Sequence, residues 1–504
     1  MTARDPIKVY DARWESTEFS DDEVRRLFEA TFAYARLLKV DTVTFARDAR
    51  LAAGHVMEIG IDQAMKMGLR VFARMEPTST PQSYFQTLWV AQQHPHCMGL
   101  TVTASHNPAR YVGVKFVVPP VQAIGEDCGP LGGLTKVREL YHSSETYPRA
   151  AGGSLTLLDL DREYIEYSMH LAGVKVGDLS GVAVVLDAFN GSCGPEMFRG
   201  LQTAGAAVTA LRLVPDGNFP SGSPNPTSQG KMSDAVARAK ETNAHAVIGI
   251  DGDGDRIVFG DDRGILTAGF AFIPILRQCL AAPATGQESK VGNPSVLYDP
   301  KVSPLALAQW GKLGAKCVLF RNGHSQIKEY INRIGAIAAA EESGHYYHRM
   351  TMGEVTISAE NSLVTVLLFL AALKRQPNLM NELWAMQDQV FTTGEMNYQF
   401  ADDQHRDEAM NSILTLFTCE GARTQTATDD GIDLQGTCLE KGVRLDPGAV
   451  KLAEGWYSGY IRISTNEKSV LRSYFSAGDT ATGERVETLA RDICATQFGG
   501  NVVE

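Results

Sequence analysis

The sequence predicts an α/β protein of several domains that closes with a smaller α+β domain. Three observations carry this. Apolar strand-like runs alternate with amphipathic helical patterns at the spacing of βα units, from Ile7 to about Leu373. Several of those runs end in polar, glycine-containing loops, where open α/β sheets place their ligands. The chain has 504 residues, 44% hydrophobic and 21% charged, enough for three or four domains with sizeable cores. The expected boundaries are 1–150, 151–260, 261–376 and 377–504.

Taken in order, Ile7–Tyr10 reads as a first strand running into the polar turn Asp11–Trp14. Ser20 opens a helix, with Glu23 completing a capping box and Val24, Leu27, Phe28 and Phe32 on one apolar face. Val43–Phe45 is a strand ending in Arg47-Asp48-Ala49-Arg50. A helix near Val56–Met67 and a strand Leu69–Phe72 follow. Gly125 to Gly133 reads as loop and Asp159 to Leu171 as helix. Val182–Leu186 is a buried strand. The stretch from Pro215 to Pro226, with four prolines and two asparagines, is a long loop or linker. A helix at Ser233–Thr242 precedes the strand Ala246–Ile250. Val296–Tyr298 and Cys317–Phe320 are strands, Gly323-His324 and Glu341–His345 polar loops, and Asn361 to Leu373 a buried helix. The last region combines helices near Asp407–Thr418 and Glu484–Phe498 with several strands.

The formal net charge of -12 argues against a nucleic-acid binder. The eight cysteines are scattered without a C-x-x-C pair, as in a cytoplasmic protein with reduced thiols. His94, His96 and Cys97 have no second ligand set at zinc spacing and read as a polar loop. The N-terminus has no apolar signal-peptide core, and the run Leu363–Leu373 is too short to span a bilayer. The expectation is a cytoplasmic protein without nucleic-acid or membrane partners; its oligomeric state is not readable.

Four stretches carry chemistry. Thr103-Ala104-Ser105-His106-Asn107-Pro108 presents a serine on a turn, because Asn107-Pro108 continues neither a strand nor a helix. Asp251-Gly252-Asp253-Gly254-Asp255-Arg256 alternates carboxylates with glycines, so that three carboxylates converge. A hard divalent cation, Mg²⁺ or Ca²⁺, resolves their repulsion; a solvated acidic turn is the alternative. An EF-hand is excluded, because Arg256 stands where that loop requires glycine and no closing Glu follows. Arg256 beside the carboxylates suits a phosphate. Glu341, Ser343 and His345 offer an acceptor, a hydroxyl and a ring donor that suit sugar hydroxyls, or form an ordinary polar turn. Arg462, Ser464, Thr465 and Asn466 form a possible phosphate cradle of a kind also common in plain turns. His324 is a general acid or base, or a loop histidine. Lys115 is a phosphate ligand, a proton donor or a surface lysine.

Together these segments resemble the α-D-phosphohexomutases, in particular the bacterial phosphomannomutase/phosphoglucomutase type, over nearly the whole chain and in the family's order. Thr103–Pro108 is similar to the phosphoserine loop and Asp251–Arg256 to the metal loop. Glu341–His345 is similar to the sugar-recognition loop and Arg462–Asn466 to the phosphate-binding loop. Tyr10–Arg13, Arg47–Arg50, Thr80-Pro81, Asp216–Pro220 and Gly323-His324 are further similarities. The resemblance implies four domains, three of them related α/β units around a central cleft.

It also implies reversible phosphoryl transfer between the 1- and 6-positions of a hexose phosphate, through phosphorylated Ser105 and a bound hexose 1,6-bisphosphate that also acts as activator. Mg²⁺ would be held by Asp251, Asp253, Asp255 and Ser105. Lys115 and His324 would move protons, with Arg13 and Arg256 beside them. Glu341, Ser343 and His345 would hold the sugar, and Arg462 to Asn466 the non-reacting phosphate. Four positions depart from the pattern: Trp14 for glycine, Val112 for asparagine, Ala340 for glycine and Lys468 for proline. The alternatives are a non-catalytic sugar-phosphate-binding protein and a metal-dependent sugar phosphatase.

Overall fold

The computed structural model describes residues 4–143, 145, 147–281, 293–446, 449–464 and 467–503. They divide into two compact units. One is formed by the chain up to 265 with 323–338 and 343–377, the other by 266–322, 339–342 and the chain from 378 onward.

The first unit contains a mixed seven-stranded sheet. Its path runs Ala12–Glu15, Tyr111–Val118, Cys97–Val102, Thr42–Arg47, Arg70–Pro77 and Ser154–Leu157, with Gln122–Ala123 paired to Tyr111–Val118. Thr42–Arg47 is parallel to both neighbours. The helix Asp21–Leu37 starts as its sequence predicts: Glu23 returns a carboxylate to the Ser20 N–H at 2.8 Å, closing the capping box. Its Phe28 and Phe32 pack on Phe45 of the sheet. A Cβ at Gly60 would come within 2.8 Å of Phe28 and Phe45, so glycine lets helix Leu51–Lys66 lie against those rings.

The N-terminal reading needs correction. Ile7–Tyr10 makes only one bridge, Ile7 to Ala12. The strand is Ala12–Glu15, antiparallel to Tyr111–Val114. Ala12 and Trp14 are buried while Arg13 and Glu15 alternate outward, so pairing and period-two burial outweigh the polar look of the segment. Helix Thr80–Ala91 is absent from the sequence expectation. Its signal was present: Ser79 caps the Gln82 N–H at 3.1 Å, and Pro81 sits in the first turn.

The unit's second sheet is ordered Gly264–Leu266, Ile257–Asp261, Ala246–Ile250, Ala183–Asp187, Ala207–Leu211. Ala246–Ile250 is fully buried, parallel to Ala183–Asp187 and antiparallel to Ile257–Asp261. Asp251–Arg256 is therefore the turn at the carboxyl end of a central strand. The same unit holds the hairpin Tyr346–Met352/Val355–Glu360 and the helix His324–Ile334. His324 opens that helix rather than lying in a loop, because Gly323 adopts φ 136 at its N-cap. Helix Ser362–Arg375, capped by Asn361, is buried along most of its length. No single helix among the described residues is long and apolar enough to cross a membrane.

The second unit pairs Ser295–Tyr298 in parallel with Lys316–Leu319. It also carries the C-terminal sheet, with path Arg423–Ala427, Asp433–Asp446, Ala449–Ile463, Val470–Ala477, Met396–Gln399, Asn501–Val503. Phe417 of helix Asp403–Cys419 packs on Tyr457 and Phe475 of that sheet. The expected last helix is α-helical at Thr480–Arg491 and widens to a π-helical turn at Asp492–Gln497.

Candidate functional site

The serine turn begins where strand Cys97–Val102 ends. Ser105 is 4% exposed and has φ 51, the left-handed region that a non-glycine residue enters only when its surroundings enforce it. Its N–H donates to Thr103 Oγ1 at 2.9 Å, its Oγ donates to Asp251 Oδ2 at 3.1 Å, and its Oγ lies 3.2 Å from His106 Nδ1. Arg50 is buried and enforces the turn. Its guanidinium donates to the carbonyls of Ser105 (2.7 Å), Asn107 (2.6 Å), Pro108 (2.7 Å) and Tyr111 (2.9 Å). Asp48 accepts from Arg50 Nε at 2.9 Å and from Thr103 Oγ1 at 2.7 Å. The ring of Phe219 covers the guanidinium at 5.2 Å. Arg50 and Asp48 belong to a segment that carries the family resemblance, yet no local signal assigns them this role, since their partners in the serine turn lie more than fifty residues away.

The acidic turn is pressed onto the serine turn. A Cβ at Gly252 would come within 2.7 Å of the Ser105 carbonyl oxygen, a close approach that requires glycine. Asp251, Asp253 and Asp255 are all buried, and one carboxylate oxygen from each lies within 4.8 Å of the others. Lys115 Nζ bridges Asp253 Oδ2 (2.7 Å) and Asp255 Oδ2 (2.5 Å). Thr80 donates its hydroxyl to Asp253 Oδ2 at 2.5 Å and its N–H to the Asp253 carbonyl at 2.8 Å. Asp253 Oδ1 is buried with no hydrogen-bond partner. Three hard oxygen donors with such an orphaned atom fit a hard divalent cation.

The charges around these turns are set by burial and by one another. Burial, with Asp255 and Asp253 beside it, pushes the Asp251 carboxyl well above the usual carboxylate range. Burial also opposes ionisation of Asp255, but Lys115, His345 and Arg256 outweigh it and hold that carboxyl well below the range. Burial lowers Lys115 in turn, and Asp253 and Asp255 overcome it, so its ammonium stays charged. Burial, Arg256 and Arg13 keep His106 neutral. Burial, Lys328 and Lys115 keep His324 neutral, and its Nε2 is buried without a hydrogen-bond partner. Arg13 donates to Asn107 Oδ1 at 2.9 Å and pairs with Asp11 at 2.5 Å. His345 Nε2 lies 3.4 Å from Asp255 Oδ1, and Ser343 Oγ lies 2.8 Å from His345 Nδ1.

The first unit thus gathers Ser105, Arg13, Lys115, the three aspartates, Arg256, Ser343 and His345, with His324 joined through the field of Lys115 and Asp255. Two of the departures are cross-strand partners: Trp14 is paired with Val112, and both are buried.

The second unit holds Glu341, Arg462 and Ser464. Lys301 pairs with Glu395 at 3.1 Å, and Arg472 pairs with Glu395 (2.7 Å) and Glu467 (2.5 Å). Ser464 Oγ donates to Glu467 at 3.0 Å. Burial works against the Glu395 carboxylate, yet Lys301, Arg462 and Arg472 hold it at about 2. Glu341 adds to the burial that raises Asp299, whose Oδ1 accepts the Glu342 N–H at 3.1 Å. Lys301 and Arg472 had no motif to reveal them. Thr465 and Asn466 lie outside the described residues.

Comparison with known proteins adds to this geometry. Family profiles described as phosphoglucomutase/phosphomannomutase, alpha/beta/alpha domains I, II and III match residues 5–127, 162–264 and 278–390. The phosphohexose mutases of Xanthomonas campestris pv. campestris are 30% identical to this chain over 407 residues, 79% of the chain and 83% of the relative. The structure of a phosphoglucomutase/phosphomannomutase family protein from Burkholderia thailandensis shares the fold at a TM-score of 0.77 and 23% identity, covering 100% of both chains. That of Aspergillus fumigatus N-acetylphosphoglucosamine mutase, in complex with GlcNAc-6P and magnesium, does so at a TM-score of 0.50 and 14% identity, over 83% of this chain and 92% of its own.

Proposed function

Because this chain belongs to the phosphoglucomutase/phosphomannomutase family and is a phosphohexomutase, we propose that it moves a phosphoryl group between the 1- and 6-positions of a hexose phosphate through phosphorylated Ser105. The observation that carries the reading is the 3.1 Å bond from Ser105 Oγ to Asp251, within a buried set of three carboxylates and a bridging lysine. Phosphoryl transfer needs positioning and charge neutralisation above all. When bound to Asp251, Asp253 and Asp255, with phosphorylated Ser105 as a further ligand, Mg²⁺ supplies that neutralisation. The Aspergillus mutase with its sugar phosphate and magnesium supports the same pairing of ligand and ion.

In the forward step a sugar hydroxyl attacks phosphorus, and its proton passes to neutral His324. The bond from phosphorus to Ser105 Oγ breaks, and Oγ takes a proton from the Lys115 ammonium. Arg256 and Arg13 offset negative charge on the transferring group. Glu341, Ser343 and His345 hold the sugar hydroxyls, and Arg462, Ser464, Thr465 and Asn466 hold the non-reacting phosphate. The hexose 1,6-bisphosphate turns over and returns its other phosphoryl group to Ser105, which regenerates the starting enzyme; added bisphosphate should therefore act as an activator.

The test is to incubate the protein with Mg²⁺, a trace of glucose 1,6-bisphosphate, and glucose 1-phosphate or mannose 1-phosphate. The expected result is conversion to the 6-phosphate without matching release of free phosphate. No interconversion across a panel of sugar phosphates, with Ser105 verified as phosphorylated, overturns the proposal. Free phosphate released as fast as isomerisation points to a phosphatase instead.

A further inference from the structure

Lys328 belongs to no motif, yet it occupies a junction. It lies one turn after His324 in helix His324–Ile334, on the same face. Its side chain is 2% exposed; the ammonium donates to the Tyr84 hydroxyl at 2.7 Å and pairs with Glu360 at 2.7 Å. It also sits 4.3 Å from the centre of the Tyr84 ring. Each partner comes from an element that carries part of the candidate site. Tyr84 is in helix Thr80–Ala91, whose first residue grips Asp253. Glu360 ends a strand and is paired with Tyr347, two residues beyond His345. One buried ammonium therefore ties together the elements that carry His324, the grip on the acidic turn, and His345.

A buried ion pair is weak evidence of a role in stability, since apolar residues of similar volume often hold such a place as well or better. A role in holding geometry accounts for the observed partners. We propose that Lys328 is a positioning residue, fixing His324 relative to the acidic turn and His345 through its paired contacts with Tyr84 and Glu360. The inference rests on the proposed role of His324 in proton transfer.

The test is steady-state kinetics of Lys328→Met with thermal unfolding alongside. The expected result is a fall in kcat of about 10- to 100-fold, as for misplacement of a reacting group by about an ångström, with KM within about threefold of wild type. In a His324→Gln background the same substitution should change kcat by less than about twofold, because the group it positions is gone. If Lys328→Met does not stay folded at the assay temperature, Lys328→Met/Glu360→Gln removes both charges and is read in the same way. A kcat within about twofold of wild type overturns the inference. So does a loss carried by KM, or equal losses in the two backgrounds. Wild-type assays run beside these separate the two claims. Absence of interconversion there fells the proposed function and this inference with it, whereas normal turnover with an unaffected Lys328→Met fells this inference alone.

Discussion

The serine and acidic turns of the first unit and the arginine cluster of the second are both built from paired cations and carboxylates, but at different depths. Asp251, Asp253, Asp255, Lys115 and Arg50 are at most 5% exposed. Glu395, Arg472 and Glu467 keep 30%, 24% and 46% of their side-chain surface in contact with solvent. Buried charges interact strongly and are costly to leave unpaired; half-exposed ones are weakened by water and salt. The first region is suited to holding a reacting group in one place. The second is suited to taking and releasing an anion. Substitutions should therefore act on stability and kcat in the first region and on KM in the second.

The largest expected effect is on stability. Arg50→Gln leaves Asp48 buried without its cation and frees three carbonyls of the serine turn and that of Tyr111. Unfolding by urea should show a loss of about 3–5 kcal/mol. A loss under about 1 kcal/mol would mean that the turn is held by something other than Arg50.

Next is Asp255→Asn, which removes one carboxylate from the acidic turn and one partner of Lys115. Kcat should fall by about 10²- to 10³-fold with the fold intact. Isothermal titration should show weakened binding of Mg²⁺ to the same variant.

Glu196 tests the buried region through pH. It accepts from Ser79 Oγ, next to the residue that grips Asp253, and burial pushes its carboxyl up from the ordinary 4.5 to about 7. Between these values the folded protein holds a proton that the unfolded chain has released. The stabilising contribution is therefore fully present below pH 4.5 and lost as pH rises through about 7, on the order of 3 kcal/mol in total. Glu196→Gln cannot ionise and should flatten that part of the stability profile. Equal slopes in the variant and wild type, measured by urea unfolding at about pH 5 and about pH 8, would show that Glu196 is not the group responsible.

The smallest effect belongs to the half-exposed cluster. Arg462→Gln should raise KM about tenfold and leave kcat unchanged, because it removes binding that is the same in the ground and transition states. A fall in kcat instead would erase the distinction between the two regions.

What the sequence made legible follows the same division between local and distant causes. The capping box at Ser20 and Glu23, the helix Ser233–Thr242 and the strand Ala246–Ile250 are specified by neighbours in the chain, and all three stand as read. The serine and acidic turns were legible because each rests on a short local pattern: Asn107-Pro108 just after the serine in one, carboxylates alternating with glycines in the other. The strand Ala12–Glu15 was not, since its conformation comes from pairing with Tyr111–Val114 about a hundred residues away. Lys328 escaped for the same reason, and the segments of Arg50 and Thr80 carried a resemblance without a role: each residue takes its meaning from partners on other elements. Helix Thr80–Ala91 is the exception, because Ser79 and Pro81 announced it locally.

The central claim is that Ser105 carries the phosphoryl group. The direct measurement is to treat the protein with glucose 1,6-bisphosphate labelled in its phosphates, isolate the peptide containing Ser105, and then chase with unlabelled hexose phosphate. Label on Ser105 that moves quantitatively to sugar, and is absent from Ser105→Ala, is the predicted result. Interconversion of hexose phosphates by Ser105→Ala at the wild-type rate, or label that stays on the serine through the chase, contradicts it.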